Sequence, residues 1–290
     1  TDKILLNGGV TIASGDVWNS VTSGIAGIYS NGAQASAISI TTNATMATAT
    51  GITVIDLSDD TSTDGANVIN VSNDDGTETW TLTGSSGVDT ITGDGGTDTI
   101  TGGPGNDVLN GGDGIDTVLG GLGDDKFVVA ASSDILGADL IEDTLTGGGG
   151  SADELALSAG VTIGVGIDWA NVTQIEKITA NAAAATAISL TLKADFITDS
   201  LIQTIDLSAD TGAEGSNVIN ATAVNTGEAL TITGSAHIDT ITGGTGADII
   251  DGGSGADIIT PALGADIVTG GPGLDAIALG ATGAIDTVIY

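Results

Sequence analysis

Short runs in which apolar and polar residues alternate recur along the whole chain, as in Thr90-Ile91-Thr92, Thr99-Ile100-Thr101 and Val108-Leu109-Asn110. A period of two puts successive side chains on opposite faces and predicts short strands with one face buried. Val172-Thr173-Gln174-Ile175-Glu176-Lys177-Ile178-Thr179 and Ala187-Ile188-Ser189-Leu190-Thr191-Leu192 alternate in the same way. The strand runs are separated by glycine-rich turns, which supply positive φ and close backbone approach. No helix-length pattern follows those turns.

Two periods organise the strands. A unit of nine residues begins at Gly84 and restarts at Gly93, Gly102, Gly111 and Gly120; a second block begins at Gly234 and restarts at Gly243, Gly252, Pro261 and Gly270. Each unit places Gly first and usually second and fourth, Asp sixth, and an aliphatic residue or Phe127 eighth. Two units make one rung, and rungs stack about 4.8 Å apart, so Ile91, Ile100, Leu109, Val118 and Phe127 are expected to form a narrow dry core. A longer period contains the first: Ile55-Asp56-Leu57-Ser58 returns as Ile205-Asp206-Leu207-Ser208, Asn67-Val68-Ile69-Asn70 as Asn217-Val218-Ile219-Asn220, and Trp18 as Trp169. The chain thus reads as two copies of a unit of about 150 residues.

Composition narrows the function. Of 290 residues 47 are Gly and 2% are aromatic, which suits a thin core of stacked aliphatics. Four Lys stand against 38 Asp and Glu, a formal net charge of -34 with no Arg. Nucleic-acid binding, which draws on Lys and Arg, is excluded as an expectation, and so is attraction to an anionic membrane. A hydrophobic content of 40% argues against a solvated acidic tail. The absence of Cys removes disulfides and thiolate sites. No apolar run reaches the roughly 18 residues of a membrane span, so no membrane insertion is expected. The start, Thr1-Asp2-Lys3, has neither an initiator Met nor a signal pattern and reads as a fragment or processed piece.

Asp residues 18 apart become vertical neighbours in such a stack. Ladders are expected through Asp89, Asp107 and Asp125, through Asp98 and Asp116, through Asp239, Asp257 and Asp275, and through Asp248 and Asp266. Two carboxylates about 5 Å apart at an effective dielectric of about 20 repel by on the order of 3 kcal/mol. A bound cation removes that penalty. Carboxylates and turn carbonyls are hard oxygen donors in a flexible cage, which suits calcium better than magnesium or zinc.

The nonapeptides resemble the G-G-x-G-x-D-x-U-x motif of repeats-in-toxin (RTX) proteins. Gly102-Gly103-Pro104-Gly105-Asn106-Asp107-Val108-Leu109-Asn110 and Gly252-Gly253-Ser254-Gly255-Ala256-Asp257-Ile258-Ile259-Thr260 fit it at every defined position. The resemblance implies an all-β fold, a tandem right-handed parallel β-solenoid or RTX β-roll, with Ca²⁺ held between turns. The implied ligands are Asp89, Asp98, Asp107, Asp116, Asp125, Asp239, Asp248, Asp257, Asp266 and Asp275. Backbone carbonyls of Gly87, Gly96, Gly105, Gly114, Gly123, Gly246, Gly255, Gly264 and Gly273 complete the set. Ser85, Asp94 and Ser235 depart from the second glycine, His237 from the fourth, and Pro261-Ala262 from the opening pair. The remaining strands resemble the wider rungs that accompany RTX blocks in bacterial surface-layer (S-layer) proteins.

Other candidates carry less. His237, the single histidine, sits where Gly normally supplies positive φ and reads as structural, which leaves no base for a hydrolytic triad. Asp56, Asp60 and Asp64, answered by Asp206, Asp210 and Glu214, form an acidic turn that fits either extra calcium or plain solvation. Asn73-Asp74-Asp75-Gly76-Thr77-Glu78 fails EF-hand spacing and reads as a loop. No Gly is followed by Lys and then Ser or Thr, so no phosphate-binding loop is present. Trp18 and Trp169 read as end-of-rung core residues.

The expected organisation is wide rungs over 1–83, a β-roll over 84–129, a linker over 130–151, wide rungs over 152–233, a second β-roll over 234–278, and the start of a further connection over 279–290. The expected function is that of a secreted, non-enzymatic structural protein of a bacterial cell surface layer or extracellular fibre, self-associating and folded by calcium. The RTX resemblance implies type I secretion. A stalk of an adhesin and the calcium-binding secretion module of an enzyme or toxin are the rivals; ice binding by Thr-Ile-Thr ranks is disfavoured by Val108, Asn110 and Ile249.

Overall fold

The computed structural model describes residues 2–13, 15, 25–34, 36–44, 46–63, 65–74, 76, 78–130, 143–158, 160–164, 169–181, 186–212, 216–225, 227–280 and 285–289. These fall into two compact units, the first built from residues up to Phe127 together with 143–153, the second from 128–130 together with 154–289. Trp18, Asp64, Asp75, Thr77 and Glu214, singled out above, lie outside the described residues.

In the first unit the chain alternates between two parallel sheets, delivering one strand to each per rung. One sheet takes Asp2–Leu6, Ile25–Ser30, Val54–Asp56, Thr81–Thr83, Thr99–Pro104, Thr117–Leu122 and Thr144–Gly148 in that order. The other takes Thr11–Ile12, Ser39–Thr41, Asn67–Asn70, Asp89–Thr92, Val108–Asn110 and the start of Lys126–Val129. The second unit repeats the arrangement. Glu154–Leu157, Lys177–Ala180, Thr204–Asp206, Thr231–Thr233, Ile249–Asp251, Ile267–Thr269 and Thr287–Ile289 form one parallel sheet. Thr162–Ile163, Ser189–Thr191, Val218–Asn220, Thr240–Thr242, Ile258–Thr260 and Ala276–Ile277 form the other. The fold is a parallel β-solenoid.

Register carries the core. Ile55, Leu82, Ile100, Val118 and Leu145 are direct partners in one sheet, and Ile69, Ile91, Leu109 and Phe127 in the other. All nine are at most 4% exposed. The eighth position of every nonapeptide in the first block is therefore core, as its spacing predicts. Like residues stacked one rung apart leave no room for bulky insertions, which is why so few aromatics suffice.

Rung length varies along the stack. Neighbouring rungs in the nonapeptide blocks are 18 residues apart, and the wider ones reach 27 to 29. Two five-residue helices, Met46–Thr50 and Phe196–Ser200, occupy part of the extra length and, with the 3-10 turn Trp169–Asn171, interrupt an otherwise β fold. The Thr50 and Ser200 hydroxyls donate back to the carbonyls of Met46 and Phe196, four residues earlier, at 2.7 and 2.8 Å. Buried Trp169 packs edge-on against Phe196, with ring centroids 4.8 Å apart and planes at 81°, which places it in the core.

Two expected boundaries shift. The segment 130–151, expected as a linker, contains the strand Thr144–Gly148, which pairs with Thr117–Leu122 and buries Leu145. The segment 279–290, expected as the start of a connection, contains Thr287–Ile289, which pairs with Ile267–Thr269. The physical reason is shared. Asp143-Thr144-Leu145 and Asp286-Thr287-Val288 keep the order acid, small polar residue, aliphatic that fills a strand slot in the nonapeptides, without keeping their spacing.

Candidate metal centre: the stacked Asp turns

The sixth-position aspartates line the edges of the sheets, where each rung turns into the next. Asp89, Asp98, Asp107, Asp116, Asp125, Asp239, Asp248, Asp257 and Asp266 are at most 1% exposed, and Asp275 is half-buried. A buried carboxylate must be hydrogen-bonded or paired. Here one oxygen is satisfied by backbone. The N–H of each Asp donates to Oδ1 of the Asp one rung further on: Asp89 to Asp107 at 2.8 Å, Asp98 to Asp116 at 2.7 Å, Asp107 to Asp125 at 2.8 Å. In the second unit the steps are Asp239 to Asp257 at 2.9 Å, Asp248 to Asp266 at 2.8 Å and Asp257 to Asp275 at 3.1 Å. The expected ladders are present, and they are carried by amides rather than by carboxylates facing each other.

The ladders extend past the nonapeptides in both directions. Asp116 N–H donates to Asp143 at 2.7 Å, Asp125 to Asp153 at 2.6 Å, and Asp266 to Asp286 at 3.2 Å. At their starts a neutral amide or an apolar residue takes the slot. Ile38 N–H donates to Asn67 Oδ1 at 2.7 Å and Ile188 N–H to Asn217 Oδ1 at 2.8 Å; Trp80 and Leu230 donate to Asp98 and Asp248, both at 2.8 Å. The charge stack is thereby ended with uncharged groups on wide rungs.

The second oxygen divides the turns into two kinds. In closed turns the amide of the second residue donates to Oδ2: Ser85 to Asp89 at 2.6 Å, Asp94 to Asp98 at 3.0 Å, Ser235 to Asp239 at 2.6 Å and Gly244 to Asp248 at 2.8 Å. Ser85 and Ser235 add their hydroxyls, each within 3.2 Å of both oxygens. In open turns the second residue has positive φ, as at Gly103 (118°), Gly112 (100°), Gly121 (126°), Gly253 (89°) and Ala262 (74°). Its amide then turns away. Oδ2 of Asp107, Asp116, Asp125, Asp257 and Asp266 is left buried with no hydrogen-bond donor. The fourth glycines follow suit: Gly105, Gly114, Gly123, Gly255 and Gly264 have φ between 119° and 148°.

What lies beneath each turn explains the division. Closed turns sit on wide-rung loops, where Ser86 N–H reaches Asp60 O at 2.9 Å and Thr245 N–H reaches Val224 O at 3.0 Å. Open turns sit on another nonapeptide turn: a Cβ on Gly123 would collide with Gly105 O, and one on Gly264 with Gly246 O. Sequence departures do not decide the matter. Gly243-Gly244-Thr245-Gly246 fits the motif and is closed, whereas Pro261-Ala262-Leu263-Gly264 departs and is open.

Burial pushes these carboxyls up. Asp116 is raised to about 8, by burial first, with the Asp98 amide opposing and the charges of Asp143, Asp98 and Asp94 adding. Asp107 is raised to about 7 by burial against the Asp89 amide, and Asp98, Asp125 and Asp257 to about 6 with burial again the largest cause. Asp89, Asp239, Asp248 and Asp266 are raised too, burial leading in each. Without a counter-ion the folded turns resist ionisation.

Buried carboxylate oxygens with no donor, flanked by glycine carbonyls, fit a hard divalent cation. Among the described residues no three His, Cys, Asp or Glu side chains are gathered closely enough to hold a metal by themselves, so backbone carbonyls have to complete any shell. Elsewhere several acidic residues accept backbone amides. Asp60 accepts from Gln34 N–H at 2.7 Å and Ser62 N–H at 3.1 Å, and Asp56 and Asp206 cap Ser58 and Ser208 amides at 3.0 and 2.9 Å. Asp56, Asp60 and Asp206 thus each close an Asx turn. Asp74 is buried and accepts from Ala47 N–H at 3.4 Å. His237 does not take the positive φ expected of it; its N–H donates to Ser235 Oγ at 3.2 Å within a closed turn.

No curated protein and no solved structure matches the chain. The family model of the RTX calcium-binding nonapeptide repeat (4 copies) matches residues 81–109, 101–136 and 233–268, which cover the nonapeptide turns of the first block and those of the second up to Asp266; the chain carries RTX nonapeptide repeats, structural elements that bind calcium.

Proposed function

We propose that the chain is a calcium-stapled structural module of an extracellular assembly, a bacterial surface layer or fibre, whose folding is switched on by calcium outside the cell. The observation that carries this reading is the set of buried, donorless Oδ2 atoms on Asp107, Asp116, Asp125, Asp257 and Asp266. No donor in the turn reaches that oxygen, so the metal-free fold is penalised at each of these open turns. Binding confined to the folded state then adds stability by mass action. The excess of negative charge keeps the metal-free chain expanded during export, which type I secretion requires. Duplication of a unit of about 150 residues favours an extended structural role over a single secretion module.

The test is a calcium titration of the chelated chain, followed by circular dichroism and light scattering, with magnesium as control. A calcium-specific gain of β-structure followed by growth of ordered assemblies is the expected result. Folding without assembly supports a stalk or secretion module instead. A chain in chelator whose β-structure and resistance to urea both equal those in calcium overturns the calcium switch.

A further inference from the structure

Residues 147–153 lie outside the matched nonapeptides, in a stretch whose sequence reads as a linker. We propose that this turn closes an additional divalent-cation site with the turn 120–125 below it, the cation being held by Oδ2 of Asp125, the carboxylate of Asp153 and carbonyls of the intervening glycines. The inference rests on the calcium reading above and extends it to residues no repeat assigns.

Four relations reproduce those between successive open turns. Gly148 has φ of 114° and pairs in register with Gly121, at 126°, which pairs with Gly103, at 118°. A Cβ on Gly150 would collide with Gly123 O, as one on Gly123 would with Gly105 O. The Asp125 amide donates to Asp153 Oδ1 at 2.6 Å, as Asp107 donates to Asp125 at 2.8 Å. A Cβ on Gly120 would touch both Asp125 Oδ2 and Gly147 O, as one on Gly102 would touch Asp107 Oδ2 and Gly120 O. Gly147 O therefore takes the place held elsewhere by the first carbonyl of the next nonapeptide.

The second, independent pointer to a ligand is Asp125 itself. It is 1% exposed, its Oδ2 has no donor, and that oxygen and Gly147 O bracket the same point beside Gly120. Asp124 fixes the upper turn by accepting the amides of Ser151 and Ala152 at 3.0 and 3.1 Å. It is a positioning residue. Asp153 is fully buried, and the turn offers only oxygen donors, so a hard cation of calcium's size is the ligand class.

The experiment counts calcium bound per full-length chain by native mass spectrometry in parent and Asp153→Asn. Asn keeps an acceptor for the Asp125 amide and removes the charge. The expected result is one calcium fewer, with the other sites filled. An unchanged count overturns this site while leaving the general calcium reading intact; a parent chain that takes no calcium overturns both. Should Asp153→Asn fail to regain the parent's circular dichroism in calcium, Leu122→Trp decides. Leu122 is exposed and lies against Gly149, so an indole there sensitises terbium luminescence from a cation in this turn. New emission above that of the parent is expected, and its absence overturns the site.

Discussion

The backbone N–H of Asp98 donates to Oδ1 of Asp116 at 2.7 Å, 18 residues on and one rung away. The bond sets a carboxylate on the axis of the stack, with one oxygen turned to the amide behind it and the other to the turn's interior. One atom of the side chain thus holds the stack, and the other is left without a hydrogen-bond donor, free to take the cation proposed above. Asp116→Asn retains the acceptor and removes the charge, whereas Asp116→Ala removes both and leaves the Asp98 amide buried without a partner. In calcium-free urea denaturation the Asn variant is expected to be at least as stable as the parent, and the Ala variant to lose about 1–3 kcal/mol. In calcium both should fall below the parent. Equal behaviour of the two variants without calcium would sink the division of labour.

Much of this was legible in sequence and some was not, for identifiable reasons. The nonapeptide core and ladders follow from spacing, because nine residues with Gly, Asp and an aliphatic at fixed places admit one stacking register. The continuation through Asp143, Asp153 and Asp286 follows the weaker rule that an Asp lies two residues before an inward aliphatic, buried Leu145 and Leu155 or half-buried Val288. The same rule covers Asn67 before Ile69 and Asn217 before Ile219. It was hidden because rung length changes from 18 to 27 and more. The open or closed state of a turn was not legible. It is fixed by the turn beneath, so Gly244 closes and Ala262 opens against their local motifs.

The raised carboxyls make the metal-free fold acid-favoured. An unfolded Asp titrates near 3.9, while folded Asp116 is raised to about 8, Asp107 to about 7, and Asp98, Asp125 and Asp257 to about 6. Between about pH 4 and pH 8 the folded chain holds more protons than the unfolded one, so its stability falls as pH rises through that window. Calcium competes with those protons, so the stabilisation it adds should grow over the same range. Urea midpoints from pH 5 to pH 8, with and without calcium, are expected to diverge. A calcium-free midpoint that climbs with pH would contradict the burial argument, and Asp116→Asn should flatten the slope.

The core is one residue deep on each side, so its columns tolerate little. Ile100 stacks between Leu82 and Val118 and is fully buried. Ile100→Ala is expected to cost about 2–5 kcal/mol. The loss should appear with and without calcium, because the cavity lies inside the sheets and not at the turns. A loss seen in calcium alone would place the side chain's contribution in metal binding and refute the packing account.

Closed turns carry their own hydrogen-bond donors for the second carboxylate oxygen, and this predicts that they respond to substitution differently from the open ones. Ser235 satisfies Asp239 through its amide at 2.6 Å and its hydroxyl at 3.0 and 3.2 Å, whereas Gly253, stacked above it, opens its turn with φ of 89° and leaves Asp257 Oδ2 donorless. Ser235→Ala removes the hydroxyl bonds and keeps the amide, so a loss of about 1 kcal/mol is expected, the same in chelator and in calcium, with the number of bound calcium ions unchanged. Gly253→Ala adds a Cβ at positive φ that collides with Ser235 O, and it should both destabilise the fold and reduce the calcium count. Urea denaturation together with calcium counting on the two variants checks this. If Ser235→Ala releases a calcium ion, the closed turns hold metal as well as the open ones.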